Sequence, residues 1–167
     1  MLWLLRSSNL AMENLKGYAS KCGVDPKRLV FAARVSNSEH LARHAHADLF
    51  VDNFIYNAHT TGSDALWAGV PLVTKLGKQF SARVAGSLLT ALGMPELITK
   101  TSEEYEDCIC KIMESPKMLQ SLKNTLANKK LENDLFNTRK YTSYFERSME
   151  EITQIYRSGN PPKDITF

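Results

Sequence analysis

Two threonines and a histidine at the expected start of a helix are the first residues whose types suggest chemistry. His59, Thr60 and Thr61 stand in the stretch NAHTTGSDALWAGVPLV, residues 57–73, where a polar loop runs into a short apolar helix. The first N–H groups of a helix have no acceptor within it, and with the helix dipole they form an anion site. The threonine hydroxyls add donors, and Gly62 allows a ligand to approach the backbone closely. This set suits the oxygens of a phosphate or diphosphate.

The same stretch also fits an ordinary helix N-terminus. Asp64 is expected in the first turn, where the dipole favours a carboxylate by roughly 0.3–1 kcal/mol. The spacing therefore leaves both anion binding and simple capping open. Neither a Walker phosphate-binding loop nor a GxGxxG sequence occurs, which disfavours kinase-type and nicotinamide-dinucleotide enzymes. Leu66 and Trp67 are expected in the core.

A second group of candidates lies upstream, in SNSEHLARHAH at residues 36–46. This stretch is expected to form a helix capped by one of three residues: Ser36, Asn37 or Ser38. Residues three and four apart share a helix face, so His40, Arg43 and His44 are expected on one side. They form either part of a binding site or an ordinary exposed face. The chain offers no cluster with metal-ligand spacing and no arguable Ser–His–Asp set.

Short apolar runs alternate with longer amphipathic stretches along the chain. The runs predict strands at 2–6, 28–33, 48–52, 71–75 and 96–99, and the stretches predict helices at 9–23, 36–46, 60–69, 79–93, 101–115 and 139–157, with leucines at helical spacing within 116–138. Strands that alternate with helices pair in parallel, because each crossover holds a helix. We therefore predict one α/β domain with a doubly wound, Rossmann-like parallel sheet of buried strands. Ligands bind such sheets beyond the carboxyl ends of the strands, where the loops 34–40 and 53–61 fall.

Composition excludes several classes of function. The 167 residues fit one domain with a sizeable core. Lys and Arg total 21 against 18 Asp and Glu, a scattered net charge of +3, so neither nucleic acid nor a membrane is an expected partner. Three cysteines give neither a disulfide framework nor a zinc site, which favours a reducing, cytoplasmic compartment. The opening MLWLLR is too short for a membrane span and lacks the parts of a signal peptide.

Several stretches together resemble the O-GlcNAc transferase family, and most closely its bacterial, tetratricopeptide-linked members. They occur in the family's order and spacing over nearly the whole chain: SEHLARHAHADLFVD, YNAHTTGSDALWAGVPLVT, FSARVAGSLLTALGMPELI, EEYED and LFNTRKYT. The pattern HTTGxDxLWAGxP is specific to that family. The resemblance implies the C-terminal, nucleotide-sugar-binding half of a two-Rossmann-domain glycosyltransferase. Such enzymes transfer N-acetylglucosamine from UDP to Ser or Thr of an acceptor protein with inversion.

The resemblance also implies roles for individual residues. By analogy His59, Thr60 and Thr61 hold the diphosphate of UDP-GlcNAc, Asp64 takes the ribose hydroxyls, and the two remaining donor-site residues flank the uracil: His40 and Arg43. No certain catalytic residue falls in this half, and no metal or other cofactor is expected. The implied partners are the UDP-sugar, a protein acceptor and the N-terminal catalytic half.

Two departures from the family pattern stand out. Ser36-Asn37 occupies the place of the family's Pro-Lys, which puts a cationic contact to the nucleotide, and the affinity for the donor, in question. The family's earlier strand and helix, with further diphosphate contacts, are absent as well. The chain is therefore expected to be a fragment that lacks its central first strand. Residues 1–138 are expected to form the partial nucleotide-sugar domain. Residues 139–167 are expected to form a closing helix and tail, whose apolar side chains either dock on the missing half or pack on their own domain.

Two other functions fit the same fold. Related proteins use GDP-fucose, although the HTTGSD stretch with His40 and Arg43 favours uridine. Since half an active site cannot complete a transfer, the chain could instead serve as a non-catalytic nucleotide-sugar-binding or interaction module.

Overall fold

Strands and helices alternate along the chain as the sequence predicts. The computed structural model describes residues 1–166, except for the side chain of residue 131. Its elements are β1 Leu2–Leu5, α1 Asn9–Lys21, β2 Leu29–Ala32, α2 Asn37–Arg43, β3 Phe50–Val51, α3 Thr60–Trp67, β4 Leu72–Lys75, α4 Val84–Ala91, β5 Ile98–Thr99, α5 Ser102–Glu114, α6 Pro116–Glu132 and α7 Thr138–Arg157. All strand pairs are parallel, which confirms the predicted α/β class. The strands are divided between a two-stranded and a three-stranded sheet.

The chain divides into two compact units, and the first covers residues 1–43. Here β1 pairs with β2 in a register that runs from Leu2 opposite Leu29 to Leu5 opposite Ala32. The expectation that β1 is buried is wrong, because Leu5 is 51% exposed and only one of its four residues is even partly buried. Within this unit only α1 and α2 accompany two short strands, which is too little apolar surface to enclose a sheet.

The second unit, residues 44–167, contains the main core. Its sheet has the order β3-β4-β5, and the central strand β4 carries the fully buried Leu72 and Val73. β3 is only partly covered, contrary to expectation, because it is an edge strand of this sheet. The core is built around β4 from the following side chains: Leu66, Leu72, Val73, Ala85, Leu89, Leu92, Met94, Leu97, Tyr105, Ile112, Leu122 and Leu126.

The last helix, α7, presents an apolar stripe that its own chain leaves exposed. Tyr141, Phe145, Met149 and Ile152 recur at helical spacing and are all exposed. Packing on their own domain therefore does not account for these side chains. Docking on another half, and a domain boundary at 138/139, stay predictions. Within residues 1–166, no helix has the length and apolar character needed to cross a membrane.

Candidate functional site

The loop between β3 and α3 is held by a buried carboxylate at its first residue. Asp52 is only 4% exposed, and its Oδ1 accepts the N–H groups of Asn53 at 2.8 Å and Ala58 at 2.7 Å. Its Oδ2 accepts the hydroxyl of Thr74, on β4, at 2.6 Å. The Tyr105 hydroxyl, from α5, donates to the Asp52 carbonyl at 2.7 Å. Both ends of the loop are thus tied to the Asp52 side chain, which is bonded to β4, while the Asp52 backbone carbonyl is bonded to α5.

Asn57 connects this loop to the short helical turn at residues 80–82. Its side-chain amide donates to the Asn53 carbonyl at 2.7 Å, and its backbone N–H donates to the Ser81 carbonyl at 2.8 Å. The Ser81 hydroxyl in turn donates to the Ile55 carbonyl at 3.2 Å. Asn57 is 1% exposed, and its Oδ1 has no hydrogen-bond partner among the described residues. Hydrogen bonds therefore hold the loop backbone at Asn53, Ile55 and Asn57.

His59 lies at the N-terminal end of α3 with its ring between two aromatic side chains. The ring stacks on Tyr56, with centroids 4.6 Å apart and planes 13° apart, and meets the edge of Phe80 at 6.1 Å. Its Nε2 is 3.5 Å from the Ser81 carbonyl oxygen, a long contact at the limit of a hydrogen bond. Within residues 1–166 the imidazole makes no capping bond to the helix. Stacking therefore orients the ring, and within the described residues its nitrogens are not engaged in a capping bond.

The backbone donors at the start of α3 lie where the sequence predicts them. Thr60 is the first helical residue, and the N–H of Ser63 donates to the His59 carbonyl at 3.1 Å. The N–H groups of residues 60–62 precede that bond and have no acceptor within the helix. Thr60 and Thr61 are exposed, so their hydroxyls are on the surface beside these donors. The expectation that Asp64 lies in the first turn is wrong, because α3 begins at Thr60 and Asp64 is its fifth residue.

Gly62 serves packing rather than ligand approach, which corrects the sequence interpretation. A Cβ there would lie 3.2 Å from the Ala58 Cβ, 3.2 Å from a Leu72 methyl and 3.4 Å from a Leu88 methyl. The glycine thus lets α3 pack closely on β4, α4 and the end of the loop. The expectation that Trp67 lies in the core is also wrong, because its side chain is 45% exposed.

In the first unit, α2 brings His40 and Arg43 together as predicted. An Arg43 Nη2 lies 2.9 Å from His40 Nδ1. Arginine has only donors, so Nδ1 accepts and the ring proton lies on Nε2. The helix is capped by one of the three expected residues, Ser36, whose hydroxyl and N–H both donate to the Glu39 carboxylate, at 2.7 and 3.1 Å. These bonds lower the pKa of Glu39.

Arg43 also has a structural task. Its Nη1 donates to the Ala33 carbonyl at 2.8 Å, and its guanidinium carbon lies 5.1 Å from the centre of the Trp3 ring. Its Nε is buried and has no partner among the described residues. The guanidinium therefore fixes the chain just beyond β2, with its Nε–H left unbonded among the described residues.

The expected third member of this group, His44, follows α2 directly. α2 ends at Arg43, and His44 begins a separate short turn in the second unit, where it is buried. The residues assigned to one site thus fall in two groups: His40 and Arg43 in the first unit, and His59, Thr60, Thr61 and Asp64 in the second. Among the described residues, no three His, Cys, Asp or Glu side chains are grouped to hold a metal ion.

Sequence reasoning missed the residues that support the loop. Asp52 was assigned only to a strand, and its partners Thr74 and Tyr105 are 22 and 53 residues away along the chain. The sequence contains one indication of its importance. A carboxylate directly after an apolar strand lies at the carboxyl end of the sheet, where ligands bind. Nothing in the spacing identifies Tyr105 as its partner.

Comparison with known proteins gives a consistent result at the level of family. The model of glycosyl transferase family 41 matches residues 1–145. The chain is 34% identical over 166 residues to the UDP-N-acetylglucosamine–peptide N-acetylglucosaminyltransferase of Caenorhabditis elegans, covering 99% of this chain and 14% of that protein. It is 36% identical over 163 residues to the probable enzyme of that name, SEC, of Arabidopsis thaliana, covering 97% of this chain and 17% of that one.

A solved structure agrees with these relatives. A mutant of the Thermobaculum terrenum O-GlcNAc transferase superposes with a TM-score of 0.83 at 26% identity, over 90% of this chain and 29% of that chain. The chain therefore spans less than a third of the length of each protein compared here.

Proposed function

Because the chain belongs to glycosyl transferase family 41, we propose that it is the donor-binding part of an inverting protein O-glycosyltransferase that uses UDP-GlcNAc and acts on Ser or Thr. The observation that carries this proposal is the start of α3, where an oriented imidazole adjoins free helix donors and two exposed hydroxyls. This is the chemistry that a diphosphate requires.

The contribution of such a site to transfer is stabilisation of the leaving group. As the sugar leaves, negative charge grows on the departing diphosphate, and fixed donors bind this charge more strongly than the ground state. His59, Thr60 and Thr61 would supply the donors together with the N–H groups of residues 60–62. A general base and an acceptor site are not assigned to this chain, and no metal ion is part of the proposal.

The ribose and the uracil of the donor are each assigned to residues of one unit. Asp64, one turn into α3, would accept the ribose hydroxyls. His40 and Arg43 would flank the uracil. Histidine and arginine N–H groups are the type of donor that a uracil carbonyl accepts. The three free cysteines support a reducing, cytoplasmic compartment as part of this proposal.

Calorimetric titration of UDP tests the proposal, with GDP as the comparator. UDP is expected to bind more tightly than GDP, and His59→Ala is expected to weaken UDP binding about tenfold or more, since a bond to a charged group contributes roughly 1.5–3 kcal/mol. His46→Ala is the matched control, because His46 is an exposed histidine in the same unit. Tighter binding of GDP would favour a guanosine donor. Absence of nucleotide binding by the folded chain would contradict the proposal.

A further inference from the structure

A buried carboxylate is an unusual choice for holding a loop. Moving an ionised carboxylate out of water is costly unless hydrogen bonds replace its hydration. Asp52 meets that condition with three bonds to its carboxylate oxygens, at 2.6, 2.7 and 2.8 Å, all from neutral donors. Bonds to an ionised acceptor are about twice as strong as neutral ones. The loop is thus held more firmly than a neutral side chain could hold it.

The residues that hold Asp52 are themselves buried and hydrogen-bonded. Thr74 lies on the central strand β4 and is fully buried, and its carbonyl accepts the Thr99 hydroxyl from β5 at 3.0 Å. Tyr105 is 5% exposed and lies within the core. Burial, and secondly the negative charge of Asp52, raise the pKa of Tyr105, so its hydroxyl stays protonated and keeps donating to the Asp52 carbonyl. The position of the carboxylate is therefore set by the sheet and by α5.

The bonded donors lie at the two ends of the loop that leads to His59. The N–H of Ala58 is the last backbone donor before His59, and the N–H of Asn53 is the first donor of the loop. With both on one oxygen, the two ends of the loop cannot separate without breaking a charge-assisted bond. Asn57, whose N–H donates to the Ser81 carbonyl and not to Asp52, is placed by the same constraint.

We propose that Asp52 is a positioning residue, which fixes His59 and the first N–H groups of α3 in their anion-binding arrangement before a ligand arrives. The relevance to binding rests on the proposed function of that site. Pre-arranged donors need no reorganisation when charge develops. Asp52 acts through the loop and touches no ligand itself.

Amide hydrogen exchange in the 167-residue chain distinguishes two roles for Asp52. It either positions the whole loop or only accepts the N–H groups of Asn53 and Ala58. Asp52→Ala removes the acceptors of the Asn53 and Ala58 N–H groups, so those two amides exchange faster whether or not Asp52 positions the loop. The deciding amide is that of Asn57. It is expected to exchange at least about tenfold faster, while the Met94 amide, which donates to the Leu89 carbonyl in the core, keeps its rate.

Asp52→Asn provides the rescue. Its Oδ1 can still accept both N–H groups, and its amide can donate to the Thr74 hydroxyl. Because these bonds are no longer charge-assisted, the Asn57 amide is expected to exchange at a rate between those of wild type and Asp52→Ala. Thr74→Val gives a milder variant should Asp52→Ala fail to fold, and it is expected to accelerate the Asn57 amide without affecting Met94. Unchanged Asn57 exchange in the folded variants, or equal acceleration of Asn57 and Met94, would overturn the proposal.

UDP titration of the same variants then tests the link to binding. Asp52→Ala, or Thr74→Val in its place, is expected to lose at least about threefold in affinity, with Asp52→Asn closer to wild type. Absence of UDP binding by the wild-type chain would refute the proposed function of the site, whereas the exchange result would still decide the role of Asp52. A variant with faster Asn57 exchange that still binds UDP with the wild-type affinity would overturn the link between loop position and binding.

Discussion

At the residue scale, the start of α3 has one side for packing and one side for solvent. Gly62 is buried against the loop, β4 and α4, while Thr60 and Thr61 beside it are exposed. This division explains how a short helix can offer backbone donors to a ligand while being firmly seated. The glycine therefore stabilises the site from behind.

Gly62→Ala is expected to destabilise the chain. The added methyl group would meet Ala58 and Leu72 at 3.2 Å, and overpacking of this kind costs about 1–3 kcal/mol, offset by the roughly 0.5–1 kcal/mol that alanine contributes within a helix. Urea denaturation should show a net loss of about 1 kcal/mol. Gly17→Ala in α1 is the control, since nothing lies within 4 Å of its Cβ position, and it is expected to cause no loss. An unchanged midpoint for Gly62→Ala would contradict this packing account.

At the scale of elements, the loop between β3 and α3 depends on α5 as much as on the sheet. Tyr105 from α5 reaches the carbonyl of Asp52, and its ring meets the edge of the Phe54 ring with centroids 5.0 Å apart. α5 itself begins at a well-formed cap, where the Thr101 hydroxyl accepts the N–H of Glu104 at 3.1 Å. The candidate site is therefore supported by an element some fifty residues away in sequence.

The protonated Tyr105 hydroxyl predicts a specific loss of stability at alkaline pH. An unfolded tyrosine titrates near about pH 10, and the pKa of Tyr105 is raised in the folded chain by burial and by Asp52. Its contribution is therefore complete below about pH 10 and is lost as the pH rises toward the folded pKa. Unfolding free energies measured from pH 8 to 11 should fall less steeply in Tyr105→Phe than in wild type. Tyr156→Phe, which alters an exposed tyrosine, should leave the slope unchanged, and an equal slope in Tyr105→Phe would refute this assignment.

The elements differ in how far the sequence predicts them. Periodicity and capping residues are local, so the alternation of strands and helices, the Ser36 cap and the start of α3 could be predicted. Burial could not, because it depends on what covers a strand, and β1 and β3 are more exposed than their apolar runs suggest. The Asp52–Tyr105 bond joins residues 53 apart, and no local pattern encodes such a pair. The predicted helix 36–46 is longer than α2, which ends at Arg43, because spacing alone does not fix a helix boundary.

At the scale of the whole molecule, family membership and the candidate site both support the function proposed above. The family match covers residues 1–145 and thus both compact units. The helix start at Thr60, the exposed threonines and the stacked His59 ring are observed independently of that match. The chain covers 14% and 17% of the Caenorhabditis elegans and Arabidopsis thaliana relatives, so transferase activity is a proposal.

Amide NMR during titration of UDP shows where the nucleotide binds as well as whether it binds. UDP is expected to shift the amide resonances of residues 59–62 the most within the second unit. His59→Ala is expected to reduce those shifts, while core amides such as that of Met94 keep their positions. Inorganic diphosphate should shift the same amides, since the proposed contacts at α3 are to the diphosphate. Saturating UDP that leaves residues 59–62 unshifted in the folded chain, or shifts a different surface instead, would contradict the account.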